Sequence, residues 1–182
     1  MQSGQDEDIL CQFRDKNTRD RGFNVLVSAY QEKIYWLIRR IVISHDDSND
    51  VVQFVFIKIW NNIGDFREDA KLSTWIYRIA VNEALALLKS RKFINFIPFF
   101  NVEKKLAESL VDDHFFQADE IELKLQKSIL ALPTRQRLVF NMRYYDELSF
   151  EEISRILNTS ESALKSSYHF AFKKIKKYLI DD

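Results

Sequence analysis

Late in the chain, Lys165, Ser166, His169, Lys173 and Lys176 follow one another at helical spacing, while Leu164, Tyr168, Ala171, Ile175 and Leu179 keep the same beat one step away. In an α-helix the two sets fall largely on different faces, one wet and one apolar. A wet face of ammonium and hydroxyl groups can act on a polyanion without making or breaking a bond, since lysine and serine side chains reach phosphates and base edges. Residues 163–178 hold five lysines and no acid. Covalent chemistry has no such support. There is no glycine-rich phosphate loop, no recognisable pair of active-site carboxylates and no nucleophile motif. Cys11 is single, and His45, His114 and His169 lack metal-ligand spacing. The expectation is a protein that is not an enzyme and has no cofactor, metal or small-molecule substrate.

The elements that must position this face are legible just upstream. Ser149-Phe150-Glu151-Glu152 reads as a capping box, in which Ser149 accepts from the Glu152 amide and the Glu152 carboxylate reaches back to the Ser149 N–H. Leu148 and Ile153 take the staple positions beside it. The helix so begun is expected to stop near Leu157. Asn158 tolerates a left-handed turn, and Ser160 can cap the helix that follows. Two capped helices, a short turn and a basic outer face make a helix-turn-helix over residues 149–177, whose second helix would enter a major groove. A helical hairpin whose lysines are merely solvated carries the same pattern. The capping box does not decide between them.

Few residues favour tight turns elsewhere, because the 182-residue chain has only three glycines and two prolines. An all-α protein is expected, and its length suits two small domains better than one large one. Apolar residues at 23, 26, 27, 30, 34, 37, 38 and 41 predict a helix over 22–43. A polar break at Ser44-His45-Asp46-Asp47 precedes a second helix over 47–63, with Val52, Val55, Phe56, Ile59 and Ile63 on one face. A third, after Gly64, is predicted over 71–92 with Leu72, Trp75, Ile76, Ile79, Ala80 and Leu87 inward. From residue 93 the rhythm fades, and residues 103–122 carry seven acids against two lysines. This stretch marks a flexible acidic linker, drawn at 96–118 between domains at 1–95 and 119–182. Helix resumes near Asp119, and Pro133 suits the first turn of the next helix. No apolar run of membrane-spanning length and no secretory signal occurs, so a cytoplasmic location is expected.

Longer stretches carry a resemblance. Leu132-Pro133-Thr134-Arg135-Gln136-Arg137-Leu138-Val139-Phe140, Tyr144, Leu148-Ser149-Phe150-Glu151-Glu152-Ile153 and Ala163-Leu164-Lys165-Ser166 closely resemble the fourth conserved region of RNA polymerase sigma factors, above all the extracytoplasmic-function (ECF) group. Upstream, Asp47-Ser48-Asn49-Asp50-Val51-Val52-Gln53-Phe54-Val55-Phe56 with Trp60 looks like that family's core-polymerase-binding helix. Phe66, followed by Ser73-Thr74-Trp75-Ile76-Tyr77-Arg78-Ile79-Ala80-Val81-Asn82, looks like its promoter-melting segment. The three stand in the family's order.

The resemblance implies a sigma factor that binds core RNA polymerase and directs initiation at promoter DNA. Asp47, Asp50, Gln53 and Phe56 would dock or shape the polymerase-binding helix. Phe66, Thr74, Trp75, Arg78 and Asn82 would take unpaired bases of the minus-ten element, and Ser160, Lys165, Ser166, His169, Phe170 and Lys173 would meet the minus-thirty-five element. An anti-sigma partner, membrane-anchored, is implied as well. For Trp75 and Tyr77 ordinary core packing is the competing reading. The chain also departs from the pattern: Phe54 follows the glutamine where an acid is common, and Ser167, Phe170 and Phe172 stand where arginine is frequent. With about four lysines on phosphates, log affinity would fall with log salt at a slope of about −3.6. So weak an anchor would need the polymerase. A stand-alone helix-turn-helix regulator would explain residues 119–180 and leave the upstream helices without a role; a helical adaptor without DNA contact is the third possibility.

Overall fold

The computed structural model describes residues 2–94 and 120–181, with side chains described over 6–90 and 121–180. The expected linker at 96–118 lies outside the described residues. Within them every regular element is helical: α1 (Gln2–Arg14), α2 (Arg19–Val42), α3 (His45–Asn62), a 3-10 turn (Ile63–Asp65), α4 (Leu72–Ile94), α5 (Glu120–Leu130), α6 (Thr134–Tyr144), α7 (Phe150–Leu157) and α8 (Glu161–Asp181). The chain divides into two compact units, Met1–Leu87 and Leu88–Asp182. Among the described residues no helix is long and apolar enough to cross a membrane.

In the first unit the periodic stripe of α2 buries Leu26, Tyr30, Ile34, Leu37, Ile38 and Ile41. Burying a side chain of this kind is worth about 1.5–3 kcal/mol, so these six residues are a large part of what fixes the unit. Helix α1 is not foreshadowed by the polar N-terminal sequence. It packs on α2 through Ile9, Leu10 and Phe13, all buried. Close approach is possible because Gly22 lies inside α2 rather than at its start; a Cβ there would sit 2.9 Å from the Phe13 backbone nitrogen. An aromatic cluster then ties three helices together, with Phe23 edge-on to Trp60 at 5.0 Å and Phe13 edge-on to Trp60 at 5.5 Å. Arg19 covers the Trp60 ring at 4.5 Å and donates to the Trp60 carbonyl at 2.9 Å. Nearby, Tyr30 donates to Asp6 Oδ1 at 2.7 Å, and burial, reinforced by that carboxylate, pushes its hydroxyl pKa far up and keeps it protonated.

The break between α2 and α3 is tighter than the polar run suggests. Ile43, buried, takes φ 74°, a conformation β-branched residues rarely adopt, and its N–H closes α2 on the Arg39 carbonyl. Ser44 then caps α3, which begins two residues before the predicted position. Its core face is Ser48, Val51, Val55, Phe56 and Ile59, with Val52 only partly covered. Along α4 the inward stripe is Leu72, Ile76, Ala80 and Ala84, joined by Tyr77 and Val81, whereas Trp75, Ile79 and Leu87 are half-buried. Periodicity finds the stripe, but neighbouring elements decide which flank is covered.

The second unit is built on Ile129, Leu132, Phe140, Ala171 and Ile175, with Leu125, Tyr145, Tyr168 and Leu179 packed around them. Pro133 stands at the N-cap of α6 rather than within its first turn. Both predicted arms of the capping box at Ser149 and Glu152 are present, Asn158 takes φ 49° and ψ 52°, and Ser160 Oγ accepts from the Ala163 amide at 3.4 Å. The short α7 and long α8 are thus set at a fixed turn.

Candidate functional site

Each helix face presents a different set of groups. On α8 the apolar side is fixed in the core by Leu164, Ala171 and Ile175, with Tyr168 stacked on Phe140 at 5.7 Å. The opposite side is exposed at Lys165, Ser166, His169, Phe170 and Lys173, and Ser160 is exposed ahead of it. Steps of three and four residues place these on one continuous strip. Lys165 meets Glu161 at 3.0 Å and lies 5.8 Å above the Phe150 ring. Both partners are more than two-fifths exposed, so this pair stabilises little and is easily exchanged for a phosphate. Across the turn, Arg135 donates to Thr159 Oγ1 at 3.3 Å and Lys174 donates to Gln136 Oε1 at 3.1 Å, bracing α6 against α7 and α8. All six predicted residues of this group share the strip or its cap.

In the first unit a cavity of about 200 Å³ opens between the start of α4 and the loop before it, lined by Asp65, Phe66, Arg67, Asp69, Ala70, Trp75 and Arg78. Pockets for drug-sized molecules start near about 300 Å³, so this one is in scale with a single planar base. Phe66 and Trp75 form its aromatic wall, their rings 5.3 Å apart and tilted by 45°. Phe66 is buried and Trp75 half-exposed; the available stacking surface is therefore the indole. Thr74 is buried and absent from the lining, whereas Arg78 and Asn82 are exposed along the next turns of α4. Thus Phe66, Trp75 and Arg78 meet at one cavity, and Thr74 and Asn82 lie outside its lining. Tyr77, by contrast, is core.

Sequence reasoning overlooked Asp65, Arg67 and Asp69. They give the cavity an edge of acceptors and donors, and the one available signal is the run of charges between Gly64 and Lys71, which breaks the helical rhythm. It also overlooked a brace: Arg14 at the end of α1 pairs with Glu68, which sits in the same loop at φ 61°.

On α3, Asp50 and Gln53 are exposed and Asp47 is partly so. Phe56 is buried, so it shapes the helix from beneath and does not form its outer surface. The apolar groups that do face outward beside Asp50 and Gln53 are Phe54 and Ile57, 58% and 54% exposed. Three or four residues separate these positions, which makes one strip of acid, amide and two apolar side chains. Exposed apolar area rimmed by polar groups is the usual composition of a protein-docking face. Lys58, one turn on from Phe54, ties the flank of this helix to α4 through Glu83 at 2.6 Å.

Among the described residues no cluster of histidine, cysteine and carboxylate groups could hold a metal ion. Three surfaces stand out among the described residues: the α8 strip, the cavity at Phe66 and Trp75, and the α3 strip.

Comparison with known proteins gives these surfaces a common setting. The family model described as Sigma-70 region 2 matches residues 26–94, and the one described as Sigma-70, region 4 matches residues 122–175. The chain is similar to the ECF RNA polymerase sigma factor SigW of Bacillus subtilis, 31% identical over 172 residues, 87% of this chain and 89% of that protein. It is 32% identical to the RNA polymerase sigma-H factor of Pseudomonas aeruginosa over 96% of this chain and 95% of that one. To the ECF RNA polymerase sigma-E factor of Escherichia coli it is 33% identical, over 80% of each. Among solved structures, CnrH in complex with the cytosolic domain of CnrY is similar in fold, with a TM-score of 0.72 at 22% identity over 98% of this chain and 99% of that one. The sigma factor RpoE of Bartonella quintana, in complex with the anti-sigma factor NepR, has a TM-score of 0.66 at 17% identity over 88% and 98%. The cavity in the region 2 unit and the helix-turn-helix in the region 4 unit therefore belong to one kind of molecule, and the chain is a member of the ECF sigma factors of RNA polymerase.

Proposed function

We propose that this sigma factor divides promoter-directed initiation among its three surfaces as follows. The α3 strip of Asp47, Asp50 and Gln53, shaped from below by Phe56, docks on core RNA polymerase, with Phe54 and Ile57 supplying apolar contact. The cavity at Phe66 and Trp75 takes an unpaired base of the minus-ten element by stacking, and Arg78 and Asn82 meet the adjoining strand, whereas Thr74 is buried too deeply to touch a base. Stacking of a base on an aromatic ring is worth about 1–3 kcal/mol, enough to bias melting without any covalent step by this subunit. The α8 strip of Ser160, Lys165, Ser166, His169, Phe170 and Lys173 enters the major groove at the minus-thirty-five element. Residues 1–95 and 119–182 serve as the two working domains, with 96–118 joining them.

The observation that carries this reading is that the region 2 match covers most of the first unit and the region 4 match lies in the second, each over a surface whose side chains suit its share of the task. A stand-alone regulator would leave the region 2 match without a purpose. Regulation by an anti-sigma partner is supported by the structural relative solved with the anti-sigma factor NepR; the other, solved with the cytosolic domain of CnrY, supports a membrane-anchored form. The working location would be the cytoplasm.

Reconstitution with purified core polymerase tests the division. Asp50→Ala combined with Gln53→Ala should weaken capture by core polymerase about tenfold or more. Lys165→Ala should leave capture intact, weaken promoter retention and lower the salt slope by about 1, as expected for one phosphate contact. Equal loss of both functions in either variant would overturn the assignment.

A further inference from the structure

We infer that Phe170 is a specificity-determining residue that reads the 5-methyl group of a thymine in the major groove, giving this chain a promoter preference that the charges on α8 do not supply. The inference rests on the docking of α8 at the minus-thirty-five element. Four observations lead to it. Phe170 is 55% exposed and is not among the side chains packed into the core of its unit, so its ring is not held there by packing. It follows Ser166 by one turn and precedes Lys173 by three residues, which puts it on the DNA-facing strip and not on its edge toward the core. Phe172, equally exposed, falls near the flank of the core stripe instead. His169 stands edge-on to Phe170 at 6.2 Å, so the two rings form a corner that limits where the phenyl ring swings.

Helical side chains lean toward the N-terminus, which brings the Phe170 ring over the turn of Ser166, nearer the end of the helix that approaches base edges. Lys165 precedes that position along the helix and Lys173, Lys176 and Lys177 follow it, all exposed and able to meet phosphates. A phenyl ring placed there has no hydrogen bond to offer. The complementary apolar group on a major-groove base edge is the thymine methyl. A polar base edge at the same place would lose its water without a replacement partner, so the contact also discriminates against guanine and cytosine edges.

The test uses holoenzyme reconstituted from core polymerase and the full chain. Duplexes randomised over the minus-thirty-five region are selected by retention, and synthetic winners are remade with deoxyuridine replacing each thymine in turn. The wild-type protein should select a thymine at one position, and loss of its methyl should weaken retention about fourfold, the size expected for one buried methyl group. Phe170→Ala should abolish both that preference and the deoxyuridine effect, and Phe170→Arg should move the preference at that position to guanine. If no thymine shows a methyl effect, or if Phe170→Ala retains it in full, the inference fails while the minus-thirty-five reading stands. If Phe170→Ala instead loses polymerase capture, the ring belongs to a protein interface and the inference is overturned. Failure of the wild type to enrich any minus-thirty-five sequence would sink the docking of α8 itself.

Discussion

Trp75 and Tyr77 stand two residues apart on α4, both aromatic, and have opposite surroundings: the indole lines an open cavity, and the phenol is buried in the core. Their truncations should therefore separate function from stability. Trp75→Ala is expected to leave the thermal unfolding midpoint within a few degrees of wild type while slowing open-complex formation by a factor of about 5 to 150, the equivalent of about 1–3 kcal/mol of stacking. Tyr77→Ala should lower the midpoint, because it opens a void in a packed interior, where such losses run to about 3–5 kcal/mol. Fluorescence of an unpaired-base probe in the minus-ten strand, measured beside calorimetry, checks both. A Trp75→Ala protein that unfolds early yet melts promoters normally would assign the indole to packing alone. Side-chain type and spacing marked both aromatics in the sequence. Which of them faces the cavity depends on the loop from Asp65 to Ala70, whose course no periodicity encodes.

Helix boundaries show the same division. Signals that act within one turn were readable: the capping box at Ser149, the left-handed residue at Asn158 and the cap at Ser160 all rest on local hydrogen bonds. At Asn158, replacement by glycine should be tolerated, and replacement by valine should cost about 1–2 kcal/mol, since a Cβ-branched residue resists φ near 49°. Urea unfolding would show this, and an unchanged midpoint for Asn158→Val would mean that α7 does not depend on that turn. Signals that depend on a distant neighbour were not readable. Gly22 looked like a helix start, but its role is to let α1 cross α2 at a distance no side chain permits. Gly22→Ala should therefore destabilise the first unit even though alanine favours helix, with α1 becoming more accessible to protease or to hydrogen exchange. A more stable Gly22→Ala protein would refute the close crossing. Ile43 is the reverse case, since local preference would never place a buried β-branched residue at φ 74°; the packing of α2 and α3 imposes it.

For the molecule as a whole, 27 basic and 27 acidic residues cancel, so its total charge gives no general attraction to DNA. Among the described residues a local concentration of lysines lies on α8. Free protein should accordingly bind promoter duplex weakly, with a salt slope near −3.6 for about four phosphate contacts, and bind firmly only as part of the holoenzyme. Retention measured across a salt series, with and without core polymerase, checks this; a free protein that binds firmly at physiological salt would contradict it. The sequence by itself determined the all-helical class, the two capped helices of the region 4 unit, the basic strip on α8 and the family resemblance, because periodicity, caps and motifs are properties of residues close together in the chain. Only the tertiary structure decided that α1 exists and packs on the first unit, that Phe54 and Ile57 face outward beside Asp50 and Gln53, and that Phe66, Trp75 and Arg78 line one cavity with three loop charges. Those facts depend on which surfaces meet across dozens of residues. A helical repeat fixes the faces of an element, and only its neighbours fix which face is covered.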